Sequence, residues 1–145
     1  MHQNSSAVLE ALRAYECLVN RIIMKNRQDF TKTQVEVMLV LEHAGQINMT
    51  RLSEFVGVSK EQASRATAPL AEAGLVEKHR NPASQREIEI ALTEEGRRKL
   101  GEVTALHKRD LSKLLDQADP ANVNRLSEVS QEASELLWKI LRSAK

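Results

Sequence analysis

The feature that most restricts this chain is a pair of short helix signals in its middle, followed at once by a change of periodicity. Asn48 has the chemistry of a helix cap and precedes a short apolar pattern of Leu52, Phe55 and Val56. Gly57 and Val58 then make a tight turn, and Ser59 with Gln62 has the spacing of a capping box that opens a second helix, stopped by Gly74. From there the period falls from 3.6 to 2. Leu75 to Arg80 and Arg86 to Leu92 read as two strands around a loop containing Asn81 and Pro82. The second strand sends Ile88, Ile90 and Leu92 to one face and Glu87 and Glu89 to the other. Helix, turn, helix and a hairpin with a basic tip make a winged helix-turn-helix.

The flanks are helical. Val8, Leu12, Tyr15, Val19, Ile22 and Ile23 form a stripe over residues 5–26, which Asp29-Phe30-Thr31 interrupts. Thr33 and Glu36 have capping-box spacing and predict a helix that buries Val37, Met38, Val40 and Leu41 and stops near Gly45. Thr93, with Glu94 and Glu95 in the first turn, opens a long helix carrying Leu100, Val103, Leu111 and Leu114. Asp119-Pro120 punctuates the chain before a last stripe from Val123 to Leu141. With 145 residues the expectation is one domain, mostly α with a small β-hairpin wing: a core over about 33–98 and outer helices over about 5–26 and 99–143. Five glycines, three prolines and 3 % aromatic residues argue against a β-sandwich or barrel. The outer stripes are too long for the small core to cover, so they predict a homodimer. The alternative is packing on the chain's own long helix.

The formal net charge is only +1, so a polyanion must be held by a local patch. Stepping ~100° per residue along the second helix turns Ala66, Thr67 and Leu70 inward and Glu61, Gln62, Ser64, Arg65 and Ala68 outward. Such a helix fits the ~12 Å major groove, where arginine reads guanine and glutamine reads adenine. Lys78, His79, Arg80 and Arg86 cluster around the hairpin tip and suit phosphates or a narrow minor groove; against that, Glu77, Glu87 and Glu89 are close enough in sequence to neutralise them. The residues expected to contact DNA are Ser59, Lys60, Gln62, Ser64, Arg65, Lys78, Arg80 and Arg86.

Phe30-Thr31-x-x-Gln34, Leu52-x-x-x-Val56-Gly57-Val58-Ser59, Leu70-x-x-x-Gly74-Leu75-Val76 and Leu92-Thr93-x-x-Gly96-Arg97 together resemble the MarR family of winged-helix transcription factors. The resemblance implies a homodimer joined through its outer helices, DNA read by the helix Ser59–Ala73, a basic wing, and release by a small-molecule effector bound between the outer helices and the core. On a palindromic operator the two reading helices would stand roughly 34–36 Å apart. The chain departs from the family in two places. Ser84-Gln85-Arg86 replaces the wing's usual Asp-x-Arg, leaving Arg86 without the aspartate that orients it. Pro69 lies inside the reading helix, where a proline costs ~3 kcal/mol and predicts a bend or a frayed final turn.

Other chemistry is scarce. Cys17 is the single cysteine, which excludes an internal disulfide; Glu16 disfavours its thiolate, so a small buried apolar residue is expected, with a thiol-based redox sensor of the same fold as the rival. A winged helix serving only protein association is a second rival. His2, His43, His79 and His107 show no metal-binding spacing, and Glu94-Glu95 reads as first-turn charge. Without a phosphate loop or a catalytic triad signature, neither an enzyme nor a cofactor is expected. The longest apolar run, Val37–Leu41, cannot span a membrane, and the polar start lacks a signal core, so a cytoplasmic protein is expected.

Overall fold

The computed structural model describes residues 4–25, 29–84 and 87–144. Its elements run α1 (Ser5–Lys25), α2 (Lys32–Ala44), β1 (Ile47–Asn48), α3 (Met49–Val56), α4 (Lys60–Glu72), β2 (Val76–Arg80), β3 (Ile88–Leu92), α5 (Glu94–Leu115) and α6 (Pro120–Ser143). The expected class is the observed one: a mostly helical chain with a small antiparallel sheet.

The core gathers Val37, Met38 and Leu41 of α2, Leu52 of α3, Leu70 of α4, Ile90 and Leu92 of β3 and Leu100 of α5. Ala63, fully buried on α4, has only a methyl group to place, which lets that helix lie close against the core. On the same helix Thr67 is buried too, and its hydroxyl donates to the Ala63 carbonyl at 2.6 Å, so no polar atom is left unpaired there.

Three details differ from the sequence expectation. The capping box of α2 is Thr31 with Gln34, not Thr33 with Glu36. Both pairs fit the pattern, and tertiary packing selects the earlier one: it puts Phe30 just before the cap, packed on the core, and buried Val35 at the fourth helical position, the two places of a hydrophobic staple. The sheet has three strands, in the order β1-β3-β2, because Ile47 and Asn48 pair with Ile90 and Glu89. Two residues are too few to show an alternation. The inward face of β3 is buried only at Ile90 and Leu92; Ile88 is 49 % exposed because the hairpin outruns the core.

Helix α4 does not fray after Pro69. It continues to Glu72, and its last turn is closed. Leu75 N–H donates to the Leu70 carbonyl and Gly74 N–H to that of Ala71, a Schellman motif with Gly74 at φ 74°. Buried Leu70 and Leu75 stand at the two ends of that motif and hold it shut.

Candidate nucleic-acid interface

Two elements build the candidate surface. The first is α4, whose N-terminus is fixed reciprocally: Gln62 N–H donates to Ser59 Oγ at 3.1 Å, and Ser59 N–H donates to Gln62 Oε1 at 3.0 Å. Helix α3 ends at Gly57 in the left-handed conformation (φ 75°, ψ 32°), which turns the chain sharply enough for α4 to pack across it. Glu61, Gln62, Ser64, Arg65 and Ala68 are exposed, whereas Ala63, Thr67 and Leu70 are buried, as the helical spacing predicts.

The second element is the β2–β3 hairpin. Arg80 pairs with Ile88, Lys78 with Ile90 and Val76 with Leu92. Alternation therefore puts Lys78 and Arg80 on the face shared with buried Val76, while Glu77 and His79 take the opposite face. Glu77 and Glu89 stay on that far side, whereas Glu87, expected there from the alternation of β3, lies just before the strand and comes to the side of Lys60 and Lys78 instead. Glu77 contacts His79 Nε2 at 3.0 Å, and Glu89 accepts hydrogen bonds from Gln46 and Asn81. Among the described residues neither Lys78 nor Arg80 is in a salt bridge. Among the described residues, the wing's contact of this kind is the one between Glu77 and His79.

Between the two elements lies an open groove of about 370 Å³, lined by Lys60 and Ser64 of α4, Lys78, Glu87 and Ile88 of the hairpin, and Asn48 and Thr50 at the start of α3. Its two ammonium groups come from different elements and face one concavity, which suits a polyanionic strand, with the Glu87 carboxylate among them as an opposing charge. Of the predicted contact residues, Lys60, Ser64 and Lys78 meet in this groove, and Arg65 stands outside it on the exposed face of α4. Ser59 and Gln62 are already occupied in the cap, so bidentate reading of adenine by Gln62 would open that cap. Arg86 lies outside the described residues. Asn48 and Thr50, which sequence reasoning did not single out as contacts, join the groove because β1 brings the start of α3 alongside β3.

A second cavity, about 190 Å³, lies between α1, α2 and α5. Val19, Ile22, Ile23, Val35 and Leu39 line it with Glu36 and His107. Burial pushes the Glu36 carboxyl above its ordinary range, an effect that Lys32 opposes and Glu16 reinforces.

Cys17 departs from expectation: it is exposed on α1, because the chain's own core covers only one line of that helix. Among the described residues no group of acidic, histidine or cysteine side chains could hold a metal ion, and no helix is long and apolar enough to cross a membrane.

A solvent-facing second helix beside a hairpin with basic side chains on its near face defines the winged helix-turn-helix fold. The sequence model of the MarR family, a family of transcription regulators, matches residues 30–88, from just before α2 to the first residue of β3, so the winged core is similar to that family. The likeness in structure extends beyond the matched segment. RV1404 from Mycobacterium tuberculosis is 25 % identical, with a TM-score of 0.65 over 90 % of this chain and 91 % of its own. MarR from E. coli is 20 % identical with a TM-score of 0.71, covering 92 % and 97 %. BpsR from Bordetella bronchiseptica, whose DNA binding is regulated by 6-hydroxynicotinic acid, is 19 % identical with a TM-score of 0.62, covering 91 % and 99 %. No curated protein sequence matches the chain.

Proposed function

We propose that this chain is a ligand-responsive repressor that binds palindromic duplex DNA as a homodimer. The observation that carries the reading is the groove in which Lys60 and Ser64 of α4 face Lys78 of the wing, next to the exposed Arg65. In this reading Arg65 and Ser64 meet base edges in the major groove, Lys60 and Lys78 hold the phosphates between helix and wing, and Arg80 and Arg86 extend the contact along the wing. Ser59 and Gln62 present their cap to the backbone, Gln62 with its amide NH2 left to donate.

The dimer is supported by the outer helices. Val8, Leu9, Leu12 and Val19 of α1 are 43–48 % exposed, and α6 buries none of its residues while Leu136 and Ile140 are 54 % and 61 % exposed. Soluble chains rarely leave so long an apolar surface uncovered. The effector's place in this reading is the aliphatic cavity between α1, α2 and α5, and the existence of one is supported by BpsR, whose DNA binding 6-hydroxynicotinic acid regulates. The thiol-sensing alternative has one observation in its favour, the exposure of Cys17; loss of DNA binding on hydroperoxide treatment, abolished by Cys17→Ser, would establish it instead.

The test is a gel shift with duplexes selected from a random pool, at two salt concentrations. Arg65→Ala should cost about 1–3 kcal/mol at one base position and relax preference there, whereas Lys60→Ala should weaken all sequences alike and lower the salt slope by about one. Unchanged affinity and preference in Arg65→Ala would show that α4 reads DNA through some other face, and salt-independent or absent binding would defeat the reading as a whole.

A further inference from the structure

The far end of α6 returns to the helix-turn-helix and is fastened there by contacts that the DNA reading does not use. Trp138, the only tryptophan, stacks on His43 of α2 with ring centroids 4.1 Å apart and planes 9° from parallel. Its ring also meets Phe55 of α3 at 6.5 Å, tilted by 37°. Phe55 carries the Arg51 guanidinium 4.6 Å above its centroid. From there Arg51 Nη2 donates to the carbonyls of Leu141 and Ala144, at 3.2 and 2.8 Å. A helix end leaves its last carbonyls without partners and carries the negative end of the dipole. Here an arginine from another element fills both needs, and Glu54 holds its Nη1 at 3.2 Å.

The rest of α6 gives that attachment its importance. The helix has no fully buried residue, and further along it Ser130 meets the Tyr15 hydroxyl of α1 at 2.8 Å, a contact outside the winged core. Helix α3, on the other side, packs directly against α4. An aromatic stack and a forked cation at one point therefore join α6 to α2 and α3, the helices packed against α4.

We propose that Trp138 and Arg51 are positioning residues that strap the end of α6 to α3 and thereby fix the angle at which α4 is presented. In a dimer joined through α1 and α6, this strap sets the distance and rotation between the two reading helices. That consequence rests on the functional reading above, but the strap itself does not. One added base pair rotates the second half-site by roughly 34° and moves it about 3.4 Å, which a rigid strap cannot follow and a loose one can.

Two measurements test this. In a Cys17→Ser background, spin labels at Ala68→Cys on α4 and Glu132→Cys on α6, diluted with unlabelled chain, report the distance within one protomer. Trp138→Ala and Arg51→Ala should each widen its distribution about twofold at unchanged helical content, while Trp138→Phe and Arg51→Lys, which keep a ring or a charge in place, should stay nearer the wild-type width. A wild-type width in both alanine variants overturns the proposal, as does widening that comes only with lost helical content. In the second measurement, unlabelled proteins meet the selected duplex and versions lengthened or shortened by one base pair. The wild type should prefer the selected spacing by about tenfold and Trp138→Ala by less than about threefold, with half-site affinity unchanged. An equal preference in both would remove the strap's role in spacing. If the wild type binds no duplex while the distance distribution still widens, the functional reading fails and the strap stands.

Discussion

Arg65 enters the free protein already engaged: its Nη2 lies 2.7 Å from Glu61 Oε1, one helical turn away, and both side chains are about three-quarters exposed. An exposed pair of this spacing is worth about 0.3–0.5 kcal/mol, so DNA can take the guanidinium from Glu61 at small cost. Glu61 also brings a negative charge toward phosphates. Glu61→Gln should therefore tighten DNA binding several-fold and lower the salt dependence little, as measured by gel shift; weaker binding would mean that Glu61 serves to orient Arg65. Gly96 is constrained in another way. A Cβ there would stand 2.0 Å from the Leu75 carbonyl oxygen and 2.9 Å from Leu92 Cδ2. Thr93 tightens the same corner by donating its hydroxyl to the Gly74 carbonyl and accepting from Gly96 N–H. Gly96→Ala forces backbone apart where the reading helix ends and α5 begins. It should cost at least 1–3 kcal/mol, the usual range of overpacking (about 1–3 kcal/mol), visible as a lower midpoint in thermal or urea unfolding.

Among the elements, α4 shows how an unfavourable residue is tolerated. Pro69 leaves the Arg65 carbonyl without its helical partner, yet it is exposed and sits one residue before the Schellman closure that Leu70 begins. Water can serve that carbonyl, and the tertiary burial of Leu70 and Leu75 keeps the turn shut. Pro69→Ala should raise the unfolding midpoint, by up to ~3 kcal/mol of stability, and leave base preference unchanged because Ser64 and Arg65 precede it. The fraying that the sequence implied rested on local propensity; long-range packing outweighs it. The same reason explains α2. Thr31/Gln34 and Thr33/Glu36 both satisfy one local pattern, and only the packing of Phe30 and Val35 distinguishes them. The caps at Asn48, Ser59 and Thr93 had no such competitor and stand where the sequence places them.

For the whole molecule, the outer helices decide whether one chain is a finished object. Val8, Leu12, Leu136 and Ile140 remain exposed although α1 and α6 touch through Tyr15 and Ser130, so packing within the chain covers one line of each helix and leaves the rest. Leu136→Glu should give a monomer by sedimentation or light scattering, with the winged core still folded by circular dichroism. Its affinity for a two-half-site duplex should fall toward that for one half-site. A dimer that survives this change would place the interface elsewhere. Residue types and their spacing were sufficient to determine the class of fold, the order of its helices, the exposed face of α4 and the basic character of the wing. These follow from periodicity, caps and turns, which act over a few residues along the chain. Only the folded chain decided that Lys78 shares a groove with Lys60 and Ser64 while Glu77 and Glu89 turn away and Glu87 does not, that Ile47 and Asn48 add a third strand, that Cys17 is exposed, and that Trp138 and Arg51 join the last helix to α3. Each of these depends on contacts between residues tens of positions apart, and local preferences carry no information about which distant surface a side chain will meet.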